Sequence, residues 1–467
     1  CLLTWKTSSF LGKLYHKATA GKTGKSHQVF FATKSFCLFY NYVFFLLYFK
    51  HKKHRNERAQ MELFIARQPI FDIHKNVVAY ELLFRSPGAV TATHTDDTAA
   101  TRAVLSNAFL MMGFDSLTDG QKAFVNFDAA TLLDQVPRLL PAEVLIVEIL
   151  ETVEPTQEVI NACALLKKAG YTLALDDFEP DKAQIPLILL ADIIKVDFRN
   201  PKSLQGRRFA ERLAPGRIRY LAEKVETEAE FRQALNEGYT FFQGYFFSRP
   251  AILSQKSIPV THMHYLQLLN QLYTADFDVE RFEQLIKRDV SLSLQFLKYI
   301  NSAFFGFRVP VQSIRHAAAL LGQQGLAKWI SLVALRNLAQ EQPPELLRTA
   351  VVRARFSELL IQHRPHPGIP QDHFFLVGLF SLLEAFLQKP LADVLEQLPL
   401  ARSVKDALTG RPNPLRQVLD LVIAYEQGNW EQVLALGEAL QLPHEAIVNA
   451  YFDALLWEKE FISMSNV

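Results

Sequence analysis

At 467 residues the chain is too long for one small domain, and length alone argues for two domains plus an extension. Hydrophobic residues make up 49% and charged residues 21%, a globular composition that excludes an intrinsically disordered chain. The net charge of +2 is unevenly spread: residues 1–60 hold 11 Lys/Arg against Glu57 alone, leaving 39 basic and 47 acidic residues, an acidic body that argues against a binder of nucleic-acid backbones.

The first sixty residues are set apart. The apolar run 35–49, followed by the basic KHKKHR, has the look of a membrane anchor with a positive flank. It is shorter than the roughly 20 residues that span a bilayer. A globular pattern begins at once after Met61, so residues 1–60 read as upstream-translated or non-native sequence. AGKTGKS (20–26) lacks the leading glycine of a phosphate loop and no strand precedes it, so it is set aside. Only Cys163 lies beyond residue 60, which rules out a disulfide framework there and fits a reducing, cytoplasmic setting.

From Met61 to about 255, short apolar runs alternate with amphipathic stretches. The expected strands are 77–84, 123–127, 144–150, 171–178, 192–198, 219–225 and 239–247. Several are apolar on both faces, as strands covered on both sides are. Between them lie helices, of which TEAEFRQALNEG is a clear case. There Thr227 caps, Glu230 completes a capping box and Gly238 ends the helix. The alternation predicts an α/β fold with a parallel sheet, closed as a β/α (TIM-like) barrel. Residues 256–467 have a different texture. Long helical patterns dominate, with a break at GQQG (322–325) and loops at RPHPGIP (364–370) and GRPNP (410–414), so this half is an all-α domain.

Each barrel strand carries a polar residue near its end: Glu81, Asn126, Glu148, Asp176 with Asp177, Lys195, Glu223 and Gln243. After the 45-residue step from Glu81 to Asn126, the steps are 22, 28, 19, 28 and 20 residues, about one β/α unit each. In a β/α barrel such positions converge on the C-terminal mouth. Taken singly, each has an ordinary structural explanation: a snorkelling lysine, a paired glutamate, a turn-capping aspartate. Taken together, five carboxylates in one apolar cup repel each other and are costly to desolvate unless a cation joins them. The donors are all oxygen, which suits Mg²⁺, Mn²⁺ or Ca²⁺. Adjacent aspartates such as Asp176 and Asp177 suit a pair of metals, the usual device for phosphodiester hydrolysis.

These residues lie in motifs: RQPIFD, YELLFR, FVNF, VEILE, LDDF, IKVD, AEKVET and QGYFFSRP. In that order they resemble the EAL domain, a β/α barrel that hydrolyses cyclic di-GMP to linear pGpG. The resemblance implies Glu81, Asn126, Glu148 and Asp176 as ligands of one metal, with Asp177 joining Asp176 at a second, so two Mg²⁺ or Mn²⁺ per barrel. It implies that Lys195 orients the attacking water and that Glu223 is the general base. Glu226 and Gln243 would support the water and metals, and Glu151 would steady the loop after the aspartates. Gln68 and Arg85 would contact substrate. One departure stands out: active members usually carry DDFGTG, and this chain has DDFEPD, with Pro180 stiffening the loop and Glu179 and Asp181 adding charge. Ser86 also replaces a tryptophan often found there. The alternative is therefore a barrel of weak or absent turnover that binds cyclic di-GMP as a sensor or scaffold.

Residues 256–450 resemble the HDOD domain, through KYINSAFFGF, SIRHAAALLG and FFLVGLFSLLEAF. The sequence has no HD dipeptide, and His262, His264, His316 and His363 lie at no metal-ligand spacing with nearby acids, so this half is expected to signal or dock rather than catalyse. A protein partner through that half is expected; nucleic acid and membrane are not, and a homodimer is left open.

Overall fold

A computed structural model describes residues 64–85, 117–176, 184–248 and 278–465, with 288, 303–304, 308, 363, 397 and 399 excepted. The apolar run 35–49 therefore lies outside the described residues, as do Asp177, the EPD loop, Ser86, His262, His264 and His363. Eight strands close into a barrel in chain order: β1 (Phe64–Phe71), β2 (Val77–Arg85), β3 (Lys122–Phe127), β4 (Leu145–Ile149), β5 (Thr172–Leu175), β6 (Ile193–Asp197), β7 (Arg219–Glu223) and β8 (Phe241–Gln243). Strands β2 to β8 are parallel, and β1 runs antiparallel to both its neighbours.

All seven strands expected from the sequence are present. The run expected over 239–247 is shorter than its apolar composition suggests, because Gly244 ends β8 and Tyr245–Ser248 forms a 3-10 turn. Strand β1 was missing from the expected set. Its sequence FIARQPIF carries Arg67, Gln68 and Pro69 where a buried strand would be apolar. Proline is tolerated in a strand only where no ladder donor is needed. Strand β8 pairs with β1 only at Ile70 and Phe71, so Pro69 lies where β8 asks nothing of it.

Helices α1 (Ala129–Leu133), α2 (Gln157–Lys168), α3 (Ile185–Leu190), α4 (Pro201–Leu213) and α5 (Glu228–Asn236) follow successive strands. Both bonds of the Thr227/Glu230 capping box on α5 are made, and Gly238 turns the chain with φ 87°. Inside the barrel, Ile70, Ala79, Phe124, Ile146, Ala174, Ile193 and Leu221 form one apolar layer, with Phe241 packed against it.

The second half is helical throughout its described residues. It comprises α6 (Val279–Lys287), α7 (Val290–Ile300), α8 (Ile314–Leu338), α9 (Pro344–Gln362), α10 (Gln371–Phe380), α11 (Leu383–Leu387), α12 (Leu391–Glu396), α13 (Arg402–Leu408), α14 (Pro414–Glu426), α15 (Trp430–Ala439) and α16 (His444–Ser465). Gly322 breaks α8 with φ 64° and ψ 177°, at the expected GQQG site. His316 is exposed on the first turn of α8. Among the described residues no helix is long and apolar enough to cross a membrane.

The barrel and the helical half share one packed unit, 62–467. Above its short pairing with β8, strand β1 meets the helical half: Tyr425 Oη donates to the Ile65 carbonyl at 3.0 Å, and Arg67 N–H donates to Tyr451 Oη at 3.4 Å. Phe64 stacks on Trp430 with centroids 5.5 Å apart. Further out, Tyr80 Oη donates to Glu345 at 3.2 Å, and Arg348 pairs with Asp119 at 2.7 Å.

Candidate active site

Side chains alternate across a strand, so a residue two positions along points to the same face. Two steps toward the mouth from each member of the apolar layer stand Gln68, Glu81, Asn126, Glu148, Asp176, Lys195, Glu223 and Gln243. On antiparallel β1 the step runs backward, from Ile70 to Gln68, which pairs in register with Glu81. The eight strands thus end their apolar filling with one polar layer: the seven residues from Glu81 to Gln243 that the sequence spacing singled out, and Gln68 on the unexpected strand β1.

Lys195 is the hub of this layer. Its ammonium is 1% exposed and lies 2.9 Å from Glu223 Oε1, 3.0 Å from Asp176 Oδ1 and 3.3 Å from Glu81 Oε2, with a close contact to Glu148 Oε1. Burial alone would lower the lysine pKa, but the four carboxylates outweigh it and hold Lys195 well above the ordinary value. Burial pushes Glu148 well above the carboxylate range, against the pull of Lys195, with Glu81 and Asp176 adding to the rise. The same causes push Glu223 up to about 8. One ammonium offsets only part of the charge of four carboxylates, so the layer has room for more positive charge.

The donor set fits a hard divalent cation. Asn126 Oδ1, Glu148 Oε2 and Gln243 Oε1 are buried oxygens with no hydrogen-bond partner, and oxygen is the ligand such ions take. Among the described residues no three His, Cys, Asp or Glu side chains enclose a point at metal distance, and the carboxylates of the layer converge on Lys195.

Gln243 Nε2 donates to Glu81 Oε2 at 2.7 Å and to Gln68 Oε1 at 3.0 Å, so both glutamines join the cluster. Arg85 ends β2, half-buried, level with Phe64 at the mouth. Other expected residues are not drawn in. Glu226 pairs with Arg199 at 2.8 Å on the rim, and Glu151 is exposed in the turn after β4.

Two features escaped the sequence reading. Asp197, two residues past Lys195, accepts from Lys224 Nζ at 2.7 Å and from the Arg199 N–H at 2.9 Å. Burial opposes its ionisation, but these donors hold its carboxyl below the usual value. Its clue was present in the paired motifs IKVD and AEKVE. The second is that Gln68 Nε2 donates to the Gln427 carbonyl at 3.1 Å. No local pattern announces a contact across 359 residues.

A closed β/α barrel with one reversed strand and an acidic, lysine-centred mouth, followed by a helical half, defines a two-domain class. The EAL domain matches residues 52–250, and the HDOD domain matches residues 258–399. The protein YuxH of Bacillus subtilis (strain 168) is 35% identical over 407 residues, covering 85% of this chain and 98% of that protein. Cyclic di-GMP phosphodiesterase CdgJ of Vibrio cholerae serotype O1 is 36% identical over 407 residues, covering 85% of this chain and 94% of that protein. A solved standalone EAL protein from Vibrio cholerae O395, in its c-di-GMP-bound form, is 22% identical with a TM-score of 0.32, covering 40% of this chain and 92% of that one. The chain belongs to the family of proteins in which an EAL domain is joined to an HDOD domain.

Proposed function

We propose that this chain is a metal-dependent phosphodiesterase that hydrolyses cyclic di-GMP to pGpG in a barrel spanning 61–255, with 256–467 as its helical signalling or docking half. The observation that carries the reading is the ring of Glu81, Glu148, Asp176 and Glu223 around the buried Lys195 at the barrel mouth.

Glu81, Asn126, Glu148 and Asp176, with Asp177 for a second ion, would hold Mg²⁺ or Mn²⁺. When bound, such ions supply Lewis acidity at the phosphate and lower the pKa of water. The chain's own groups do the rest. Lys195 donates hydrogen bonds that orient the attacking water. Glu223, 2.9 Å from that ammonium, accepts the water's proton at a carboxylate oxygen. Gln68 and Arg85 bind substrate, with the guanidinium suited to a phosphate oxygen. Gln243 holds Glu81 in place through its 2.7 Å bond. One water adds to phosphorus, one ester P–O bond breaks, and the leaving sugar oxygen gains a proton. Glu226 supports the cluster from the rim, and Glu151 steadies the loop after the aspartates. The free, buried Cys163 fits a reducing cytoplasm. A protein partner for the helical half belongs to the same reading.

The EPD loop favours a second reading, in which the barrel binds cyclic di-GMP with little turnover. Full-length protein with cyclic di-GMP and Mg²⁺ or Mn²⁺, followed by chromatography, separates the two. The expected result is pGpG that disappears with EDTA, with Asp176→Asn and with Lys195→Ala, each at least about 100-fold down. Binding without product would support the sensor instead, and neither binding nor product would sink both.

A further inference from the structure

We propose that the turn Gln427–Gly428 of the helical half is a working part of the barrel's mouth. Gln427 acts as a positioning residue: its backbone carbonyl orients the Gln68 amide and, through Gln68, the Gln243–Glu81 pair. The proposal rests on the phosphodiesterase reading only for what the site binds.

The geometry is a continuous chain of hydrogen bonds. Gln68 Nε2 donates to Gln427 O at 3.1 Å; Gln243 Nε2 donates to Gln68 Oε1 at 3.0 Å and to Glu81 Oε2 at 2.7 Å. An amide side chain alone can flip its oxygen and nitrogen. Here the carbonyl of Gln427 requires a donor on one side and the Gln243 amide requires an acceptor on the other. Only one orientation satisfies both. It leaves one N–H and one lone pair of Gln68 for a ligand at the mouth. Without the turn, the amide keeps one partner and both the rotamer and the free N–H lose definition.

The placement of the turn is built rather than incidental. Strand β8 pairs with β1 only at Ile70 and Phe71, so the wall beside Gln68 is not closed by strands. The helical half closes it: Tyr425, two residues before Gln427, donates to Ile65 O, and Tyr451 accepts from Arg67 N–H. Gly428 has φ +69°, and a Cβ there would lie 2.6 Å from Leu83 Cδ1, so the turn sits directly against β2 near its mouth end. The Leu83 tip can rotate aside, but a β-branched side chain in that left-handed conformation strains the backbone of the turn whatever the space. Gly428→Val is therefore a tool that displaces the turn without touching any side chain of the polar layer.

The test is a double-mutant cycle in the full chain with Gly428→Val, Gln68→Leu and the double variant, all checked for an unchanged circular dichroism spectrum. Gly428→Val is expected to raise KM for cyclic di-GMP by about tenfold with kcat within about threefold. The double variant is expected to be no worse than Gln68→Leu, because the turn acts through Gln68. Losses that multiply in the double variant, or an unchanged KM in Gly428→Val, would overturn the proposal. Should Gly428→Val fail to fold, Gln68→Glu replaces it. That variant can accept from Gln243 but cannot donate to Gln427 O, and wild-type affinity in it would likewise overturn the proposal. A readout without substrate separates this idea from the phosphodiesterase reading. In chain labelled with ¹⁵N-glutamine, the Gln68 side-chain amide signal is the one missing from Gln68→Leu. It should shift to an exposed-glutamine position in Gly428→Val. An unmoved signal refutes the contact even if wild type neither binds nor cleaves cyclic di-GMP.

Discussion

Lys195 shows how one residue organises a site. A buried lysine normally loses its proton, yet four carboxylates from β2, β4, β5 and β7 keep this one charged. In turn it gathers carboxylates that would otherwise repel one another, so the site is assembled before any ligand arrives. Glu345 is the opposite case. It lies at 5% exposure between the barrel and the helical half, where burial raises its carboxyl from 4.5 to about 7, against the pull of Arg67 and Arg348. The folded chain therefore keeps this proton where the unfolded chain has lost it. Below the ordinary value both states are protonated and there is no penalty. As pH rises from about 4.5 to 7 the unfolded state ionises first, and stability falls by roughly 3 kcal/mol. Glu345→Gln should remove this slope. Urea midpoints at pH 5 and pH 8 check it: the variant should gain on wild type at pH 8, and parallel behaviour would reject the assignment.

At the scale of elements, the polar layer depends on how β7 and β8 meet. The Val225 N–H donates to Gln243 O at 3.0 Å, and Phe246 N–H donates to Val225 O at 3.2 Å, so the chain segments beyond both strands touch backbone to backbone. Gly244 lies at φ 140°, and a Cβ there would overlap the Val225 carbonyl. Backbone on both sides cannot rotate away as a side chain could. Gly244→Ala should cost about 3 kcal/mol or more and displace Gln243. Gly120→Ala is the control: its φ is +76° but nothing lies within 4 Å, so only the left-handed penalty of about 1 kcal/mol applies. Thermal melts of the two variants should differ clearly, and equal losses would mean that the approach at Gly244 is soft.

Across the whole molecule, the helical half does structural work for the barrel. The edge of β1 that β8 leaves is an unpaired strand edge, and such edges must be covered or they template aggregation. Tyr425 and Tyr451 cover it with hydroxyls, from helices that lie beyond the stretch matched by the HDOD domain. Tyr425→Phe strands the Ile65 carbonyl and should cost about 2 kcal/mol, with a smaller loss for Tyr451→Phe, whose bond is longer at 3.4 Å. Urea unfolding followed by barrel and helical probes should shift together, since the two halves bury one network. Separate transitions would show that the halves are energetically independent.

Most of the barrel was legible because its code is local. Apolar runs of strand length, spaced one β/α unit apart, each with a polar residue near its end, point to one polar layer at the mouth. That is how Glu81, Asn126, Glu148, Asp176, Lys195, Glu223 and Gln243 could be gathered before any coordinates. Capping chemistry at Thr227 and the break at Gly322 were legible for the same reason, since each acts within a few residues. The tertiary structure decided the rest. Strand β1 is a strand because β2 pairs with it from Phe64 to Phe71, a long-range register that its own Arg-Gln-Pro sequence does not announce. Glu226 is held on the rim because Arg199 competes for it. Gln68 meets Gln427 because two halves of the chain dock, and docking depends on surfaces whose complementarity no run of neighbouring residues records.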